Sequence, residues 1–478
     1  MNYKMITYIL GWLLIFEAIF MLVPIAAAFC FGEQQAWYFI AVAAFCAVAG
    51  RLLTFKKRKN TTLYSRDGFM VVAISWIVLS VFGALPFYIS GCIPSFVDAL
   101  FESVSGFTTT GASILSDVEA LPKCMLMWRS FTHWVGGMGV LVFVMAFLPL
   151  SGGQNMHLMK AESTGPSVSK LVPRVKTTAL LLYSIYFVLT LIQFVLHLCG
   201  GMTVFEALNT AFSTAGTGGF GFYNTSFAGF SVYNQIVVTV FMILFSISFN
   251  SYYFILIGKL KEAFNIEVKA FLVIVAGATA IITANIASMF DSVGEALRHS
   301  AFTVSAVIST TGFMTVDYNL WPELSKVILV LLMFIGGCAG STCGGIKVSR
   351  VLILLKGIGK EISMLIHPRE VRKIKLDSHP VEHETVRSAN AYMVSYILIY
   401  AISVLLISFD NCDFTTNFTA VVAALNNIGP GLEMVGPTQN FGFFSDGTKL
   451  VLIFDMLAGR LELFPMLLLI TPAAWKKQ

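Results

Sequence analysis

Phe107 to Ala112 reads FTTTGA and follows an apolar, helix-compatible run, Phe96 to Gly106, too short to cross a bilayer. Three threonines and a glycine offer carbonyls, hydroxyls and a flexible bend without any charge. Related stretches recur: STAG from Ser213, STTG from Ser309 and NNIG from Asn426, each behind about ten helix-compatible residues. With Gly111, Gly216, Gly312 and Gly429 in register, the period is roughly one hundred residues, and Phe101 and Phe302 share a column. Each repeat carries one short apolar helix and one glycine bend.

Composition decides the solvent. With 57% hydrophobic and 12% charged residues and a mean hydropathy of +0.80, the 478-residue chain reads as an integral membrane protein. Apolar windows of about twenty residues lie near 5–32, 36–55, 69–92, 127–150, 178–200, 231–257, 269–290, 324–356, 389–409 and 448–472. The expectation is therefore an all-α protein with ten transmembrane helices. The first window is too long for a signal-peptide core and reads as a retained span.

With the amino terminus inside, ten spans leave the carboxyl terminus inside too. Of the 31 Lys and Arg residues, all but Lys123, Arg129, Arg298, Lys326, Lys449 and Arg460 then fall in inner segments, richest at Lys56–Arg66, Lys160–Lys176 and Lys347–Arg387. Asp98, Asp117, Glu119, Asp317, Glu433 and Asp446 are among the acids on the opposite side, which favours cations at that mouth. The eight cysteines have no disulfide or zinc spacing. His379 and His383 flank Pro380, which argues against a metal site on a helix face.

The units divide at residue 66 (an amino-terminal transmembrane hairpin, 1–66), then 67–176, 177–266, 267–388 and 389–478, each of the last four a span, a short helix, a glycine stretch and a returning span. In the third unit the returning helix is interrupted by GGCAGSTCGGIK, Gly336 to Lys347. Its five glycines and small polar residues hold a helix poorly, and broken backbone at membrane depth must be buried in protein or line a wet cavity. A plug below the third glycine stretch is the expectation, with Gly336, Gly337, Gly340, Ser341, Thr342, Gly344, Gly345 and Lys347 as its gating residues. It is not a nucleotide-binding loop, because no Ser or Thr follows the lysine. Arg460 falls near the middle of the last span. It must face the protein interior, pairing with Asp455, Glu462 or loop carbonyls, or standing beside a path.

Four like-oriented units can close around one axis, so that Thr108, Thr109, Thr110, Gly111, Ser213, Thr214, Ala215, Gly216, Ser309, Thr310, Thr311, Gly312, Asn426, Asn427, Ile428 and Gly429 would meet there as a ring of backbone carbonyls. Such a ring replaces the hydration shell of a monovalent cation, and the absence of a carboxylate in it disfavours a divalent one. Intramembrane Glu17, His133 and Asp455 are isolated, which gives no enzyme site.

These four stretches, GGCAGSTCGGIKVSR and the terminal LAGRLELFP together resemble the Trk/Ktr/HKT family of potassium transporters, within it the bacterial TrkH type, over residues 69–472. The resemblance implies a pseudo-fourfold pore of parallel helix–pore helix–helix repeats in the inner membrane, with the sixteen residues above as potassium filter. K+, with Na+ and Rb+ as lesser ions, would be the transported species, and no organic cofactor is implied. Gly336 to Lys347 would be the gating loop and Arg460 the pore-facing arginine. It further implies a homodimer in lipid and a cytosolic, nucleotide-binding regulator of the RCK type (TrkA in bacteria), with Arg372, Lys373 and Lys375 as docking candidates. Glycine rather than serine at 111 is the family state associated with potassium over sodium. Proton- or sodium-coupled symport on the same architecture is the alternative.

Overall fold

The computed structural model describes residues 3–55, 65–139, 175–368, 373–377 and 379–475. The basic segments Lys56–Arg66 and Lys160–Lys176, apart from their last residues, the far half of the 127–150 window and Arg372 lie outside the described residues. Most of what is described is helical; the β structure among these residues is one two-residue pair, Lys375–Leu376 with His379–Pro380.

The amino-terminal helices Tyr3–Phe20 and Ala36–Thr54 pack backbone to backbone, because a Cβ at Gly11 would sit 2.9 Å from the Gly50 carbonyl oxygen. Next come Ser65–Ile89, the short helix Phe96–Phe107, and Lys123–Gly137. Trp128 joins these three: its indole N–H donates to the Gly83 carbonyl at 3.0 Å and its ring meets Phe107 edge-on.

The same order recurs with Val175–Cys199, Val204–Ala215 and Val232–Ser246; with Ile266–Ile286, Val293–Ile308 and Glu323–Ile335; and with His383–Ile407, Phe414–Leu425 and Asp446–Arg460. Each short helix starts on a side-chain cap: Ser95, Thr203, Ser292 and Asp413 each accept the N–H three residues on.

The ten apolar windows are not ten unbroken helices. Among the described residues six helices are long and apolar enough to span, seven if one bent pair counts as a span. That pair, Val232–Ser246 and Phe249–Leu256, turns by 91°. The 324–356 window stops at Ile335 and resumes at Val348, as its glycines led us to expect. The last window corrects the expectation: its helix ends at Arg460, and Glu462 and Leu463 take positive φ values of 57° and 68° before Phe464–Ile470 begins. Arg460 is thus a helix terminus rather than a mid-span residue.

Candidate functional site

All four short helices end alike, in a turn whose next-but-one residue bonds back into the helix. The N–H groups of Thr110, Gly218, Thr311 and Ile428 donate to the carbonyls five residues earlier, those of Ser105, Ser213, Ala306 and Ala423, at 2.9 Å in each case. The residue before each is left-handed: Thr109 at φ 56°, Thr217 at 54°, Thr310 at 56° and Asn427 at 54°. This is the Schellman arrangement, usually built on glycine. A β-branched residue held at positive φ costs about 1–3 kcal/mol, so the surroundings must impose it.

The residue after each turn is a glycine, again at positive φ: Gly111 (79°), Gly219 (77°), Gly312 (78°) and Gly429 (97°). The second unit therefore departs from the expected register. Gly216 has φ −68° and caps its helix, as Thr108, Ser309 and Asn426 do; Ser213, Thr214 and Ala215 are still helical. The segment equivalent to the other three is Gly216–Thr217–Gly218–Gly219. Sequence comparison missed it because STAG imitates STTG. A signal was present, however: sixteen residues separate cap from glycine in Ser95–Gly111, Thr203–Gly219 and Asp413–Gly429, and one extra helical turn makes it twenty in Ser292–Gly312.

The four glycines meet in cyclic order. A Cβ on Gly111 would run into the carbonyl oxygen of Gly218, one on Gly219 into that of Thr311, and one on Gly312 into that of Ile428; one on Gly429 would lie 2.9 Å from the Thr110 oxygen. Beyond the glycines the loops also join in sequence. Asn224 donates to Asp117 Oδ1 at 2.8 Å, Phe227 N–H to the Met314 carbonyl at 2.9 Å, Glu433 N–H to Asn319 Oδ1 at 3.1 Å and Phe441 N–H to the Ser113 carbonyl at 2.8 Å. The Asn224 amide holds the Asp117 carboxyl below the usual carboxylate range, so this mouth keeps that negative charge. A cavity bordered by Ala112, Phe220, Met314 and Pro430 opens above the four glycines.

Two groups that the sequence left without roles brace the first two segments. Glu102, in the first short helix, accepts from Arg129 Nε at 2.7 Å, from Ser113 Oγ at 3.0 Å and from Ile114 N–H at 3.1 Å. Arg129 also donates to the Gly221 carbonyl at 3.0 Å and lies over the Phe220 ring. His133 contacts the Gly106 carbonyl through Nδ1 at 2.7 Å and accepts the Phe220 N–H on Nε2 at 3.2 Å. Glu102→Ala leaves Arg129 buried without its counter-charge. Breaking such a pair costs about 3–5 kcal/mol, expected as a marked fall in the unfolding midpoint of the detergent-solubilised protein.

On the side of the helix carboxyl ends, the interrupted segment of the third unit folds up against the ring. Gly344 N–H donates to Thr310 Oγ1 at 2.8 Å, and a Cβ on Gly344 would strike the Asn426 carbonyl. The loop thus lies beneath the third and fourth segments together, where the sequence placed it beneath the third. Asn427 donates to Thr110 Oγ1 and to the Met456 carbonyl, both at 2.9 Å. The loop leaves and returns at Gly336 and Gly345, both at positive φ, and Gly340 makes its turn. Ser341 Oγ donates to the Cys338 carbonyl at 2.6 Å, and Lys347 Nζ to that of Cys343. Gly337 packs on Cys343.

Arg460 takes up the carbonyl alternative: it donates to Thr342 O at 2.8 Å and to Gly137 O at 2.7 Å, and also to Gly136 O. The loop is thereby tied to the first unit. Asp455 instead accepts from Ser403 at 2.7 Å, and Glu462 pairs with Arg350, just past the loop. His379 and Pro380 form the short strand described above, and no cluster of three metal-ligating side chains exists among the described residues.

A family model described as TrkH, cation transport protein, matches residues 35–477. The Trk system potassium uptake protein TrkH of Halomonas elongata is 33% identical over 485 residues, covering 100% of both chains. The Trk system potassium uptake protein TrkG of Escherichia coli is 33% identical with 99% of each covered. The crystal structure of the potassium transporter TrkH from Vibrio parahaemolyticus superposes with a TM-score of 0.89 at 33% identity over 100% of both chains.

Proposed function

The chain belongs to the TrkH family of cation transport proteins, and on that premise we propose that it takes up potassium through a pore on the axis of its four short helices. The observation that carries this reading is the cyclic approach of Gly111, Gly219, Gly312 and Gly429, each to the carbonyl of the next segment. Four pseudo-fourfold repeats then supply Thr108–Gly111, Gly216–Gly219, Ser309–Gly312 and Asn426–Gly429 as the filter. Backbone oxygens stand in for the hydration shell of a monovalent ion. The carboxyl ends of four helices, each with about half a negative charge, face the same region.

The loop Gly336–Lys347 is the gate and Arg460 the electrostatic barrier beneath the filter. A cytosolic nucleotide-binding regulator acting on the basic 359–388 region, a homodimer, ten spans and inward-facing termini complete the reading.

The test is cation flux into liposomes holding the purified protein, compared for potassium, rubidium and sodium with and without a proton gradient. Gradient-independent flux favouring potassium and rubidium supports the pore; flux requiring the gradient would favour symport. Gly111→Ser presses a Cβ into the Gly218 carbonyl at one of four positions. Like Gly219→Ala it should cut total uptake about a hundredfold, and in the flux that remains the preference for potassium over sodium should fall about tenfold, a change of about 1.4 kcal/mol. Unchanged selectivity would count against the filter.

A further inference from the structure

The intramembrane loop has one contact that the pore does not need. Glu267, second residue of the helix Ile266–Ile286, accepts on Oε1 the N–H of Ala339 inside the loop at 2.7 Å and the N–H of Ser349 just beyond it at 3.1 Å. One carboxylate therefore holds both the middle of the loop and the start of the helix Val348–Ile366 that follows it. Two backbone N–H groups, from the loop and from the helix after it, converge on that one side chain, whereas the ties to the bent helix, Cys338 N–H to Ser246 O and Phe249 N–H to Gly340 O, both at 3.0 Å, each join single groups.

One peptide unit away, Ile266 N–H donates to Asp377 Oδ1 at 2.8 Å. Asp377 sits at φ 45° in the turn of the 375–380 hairpin, and that hairpin is tied to Val348–Ile366 by Lys356 Nζ on the Lys375 carbonyl at 2.8 Å. A cavity of about 960 Å³ is lined by Glu267, Ala339, Ser349 and Asp377. The hairpin thus grips the first residue of a helix whose second residue grips the loop.

We propose that Glu267 is a positioning residue that latches the intramembrane loop, and that Asp377 sets the latch, so that displacing the 375–380 hairpin releases the loop. Its consequence for flux rests on the loop being the gate.

The experiment pairs two readouts on the full-length protein, Glu267→Ala against Asp377→Gly, the glycine keeping the left-handed turn. The first readout is maleimide labelling of Cys338 and Cys343, both buried in the loop, resolved by peptide mass spectrometry with buried Cys46 of the amino-terminal hairpin as internal control. The second is potassium flux in liposomes. Expected is about a tenfold rise in loop labelling for Glu267→Ala, the effect of about 1.4 kcal/mol on loop closure. A smaller rise is expected for Asp377→Gly, with Cys46 unchanged and flux rising in parallel. Loop labelling that rises without flux supports the latch and overturns the gate. Labelling unchanged in both variants overturns the latch and leaves the gate standing. A rise at Cys46 as large as at Cys343 also overturns it, because Glu267 would then merely support the fold.

Discussion

Gly219→Ala is expected to abolish potassium-limited growth of an uptake-deficient strain, with uptake falling by about two orders of magnitude, equivalent to about 2.7 kcal/mol, while the protein still reaches the membrane. Two independent causes add. At φ 77° an L-residue is strained, and the new Cβ would occupy the place of the Thr311 carbonyl oxygen. That oxygen belongs to backbone fixed by its own turn, Thr311 N–H to Ala306 O, so it cannot yield as a side chain would. The control is Thr214→Ala. Thr214 Oγ1 bonds back along its own helix, to the Thr210 carbonyl at 2.7 Å, and the side chain is buried, so its truncation should cost about 1 kcal/mol and leave uptake within about fivefold, far short of the Gly219→Ala loss. Uptake that falls as far for Thr214→Ala as for Gly219→Ala would count against Gly216–Gly219 as the second segment.

The same comparison shows what a linear reading can reach. The short helices were legible because each is apolar, brief and followed by a bend, and the break at Gly336–Lys347 because glycine density alone forbids a regular helix there. Register in the second unit was not, since TAGTGG offers three glycines and resemblance selects the wrong one; counting from the caps selects the right one.

The 91° bend at Ser246–Phe249 was hidden for a different reason. Its freed backbone groups are taken by the loop ninety residues on, Cys338 N–H on Ser246 O and Gly340 O from Phe249 N–H. Nothing local in an apolar run announces such a partner. Glu102 and Glu267 escaped likewise: a glutamate in a helix reads as solvated until the fold brings Arg129 to one and loop amides to the other.

Deleting Gly337–Gly344 should raise potassium flux in liposomes at least about tenfold, the effect of removing about 1.4 kcal/mol of barrier, and should do so without unfolding the chain. The neck is already closed. A Cβ on Gly345 would lie 2.7 Å from the Gly336 Cα, and Ile346 N–H meets the Phe334 carbonyl at 3.1 Å as Lys347 N–H meets that of Ile335 at 2.9 Å. Residues in such contact can be joined across the roughly 3.8 Å that separates consecutive Cα atoms.

What the deletion removes is the Gly344 bond to Thr310, the Thr342 carbonyl on Arg460, the Ala339 bond to Glu267 and the ties of Cys338, Gly340, Thr342 and Cys343 to the bent helix. The amide of Phe249 and the carbonyl of Ser246 can then satisfy each other's neighbours by straightening the helix or by taking water. Arg460 keeps its bonds to Gly136 and Gly137, so the first segment stays braced while the floor under the third and fourth is gone. A deletion protein that elutes as well-folded material yet passes no potassium would mean that the loop builds the path instead of closing it.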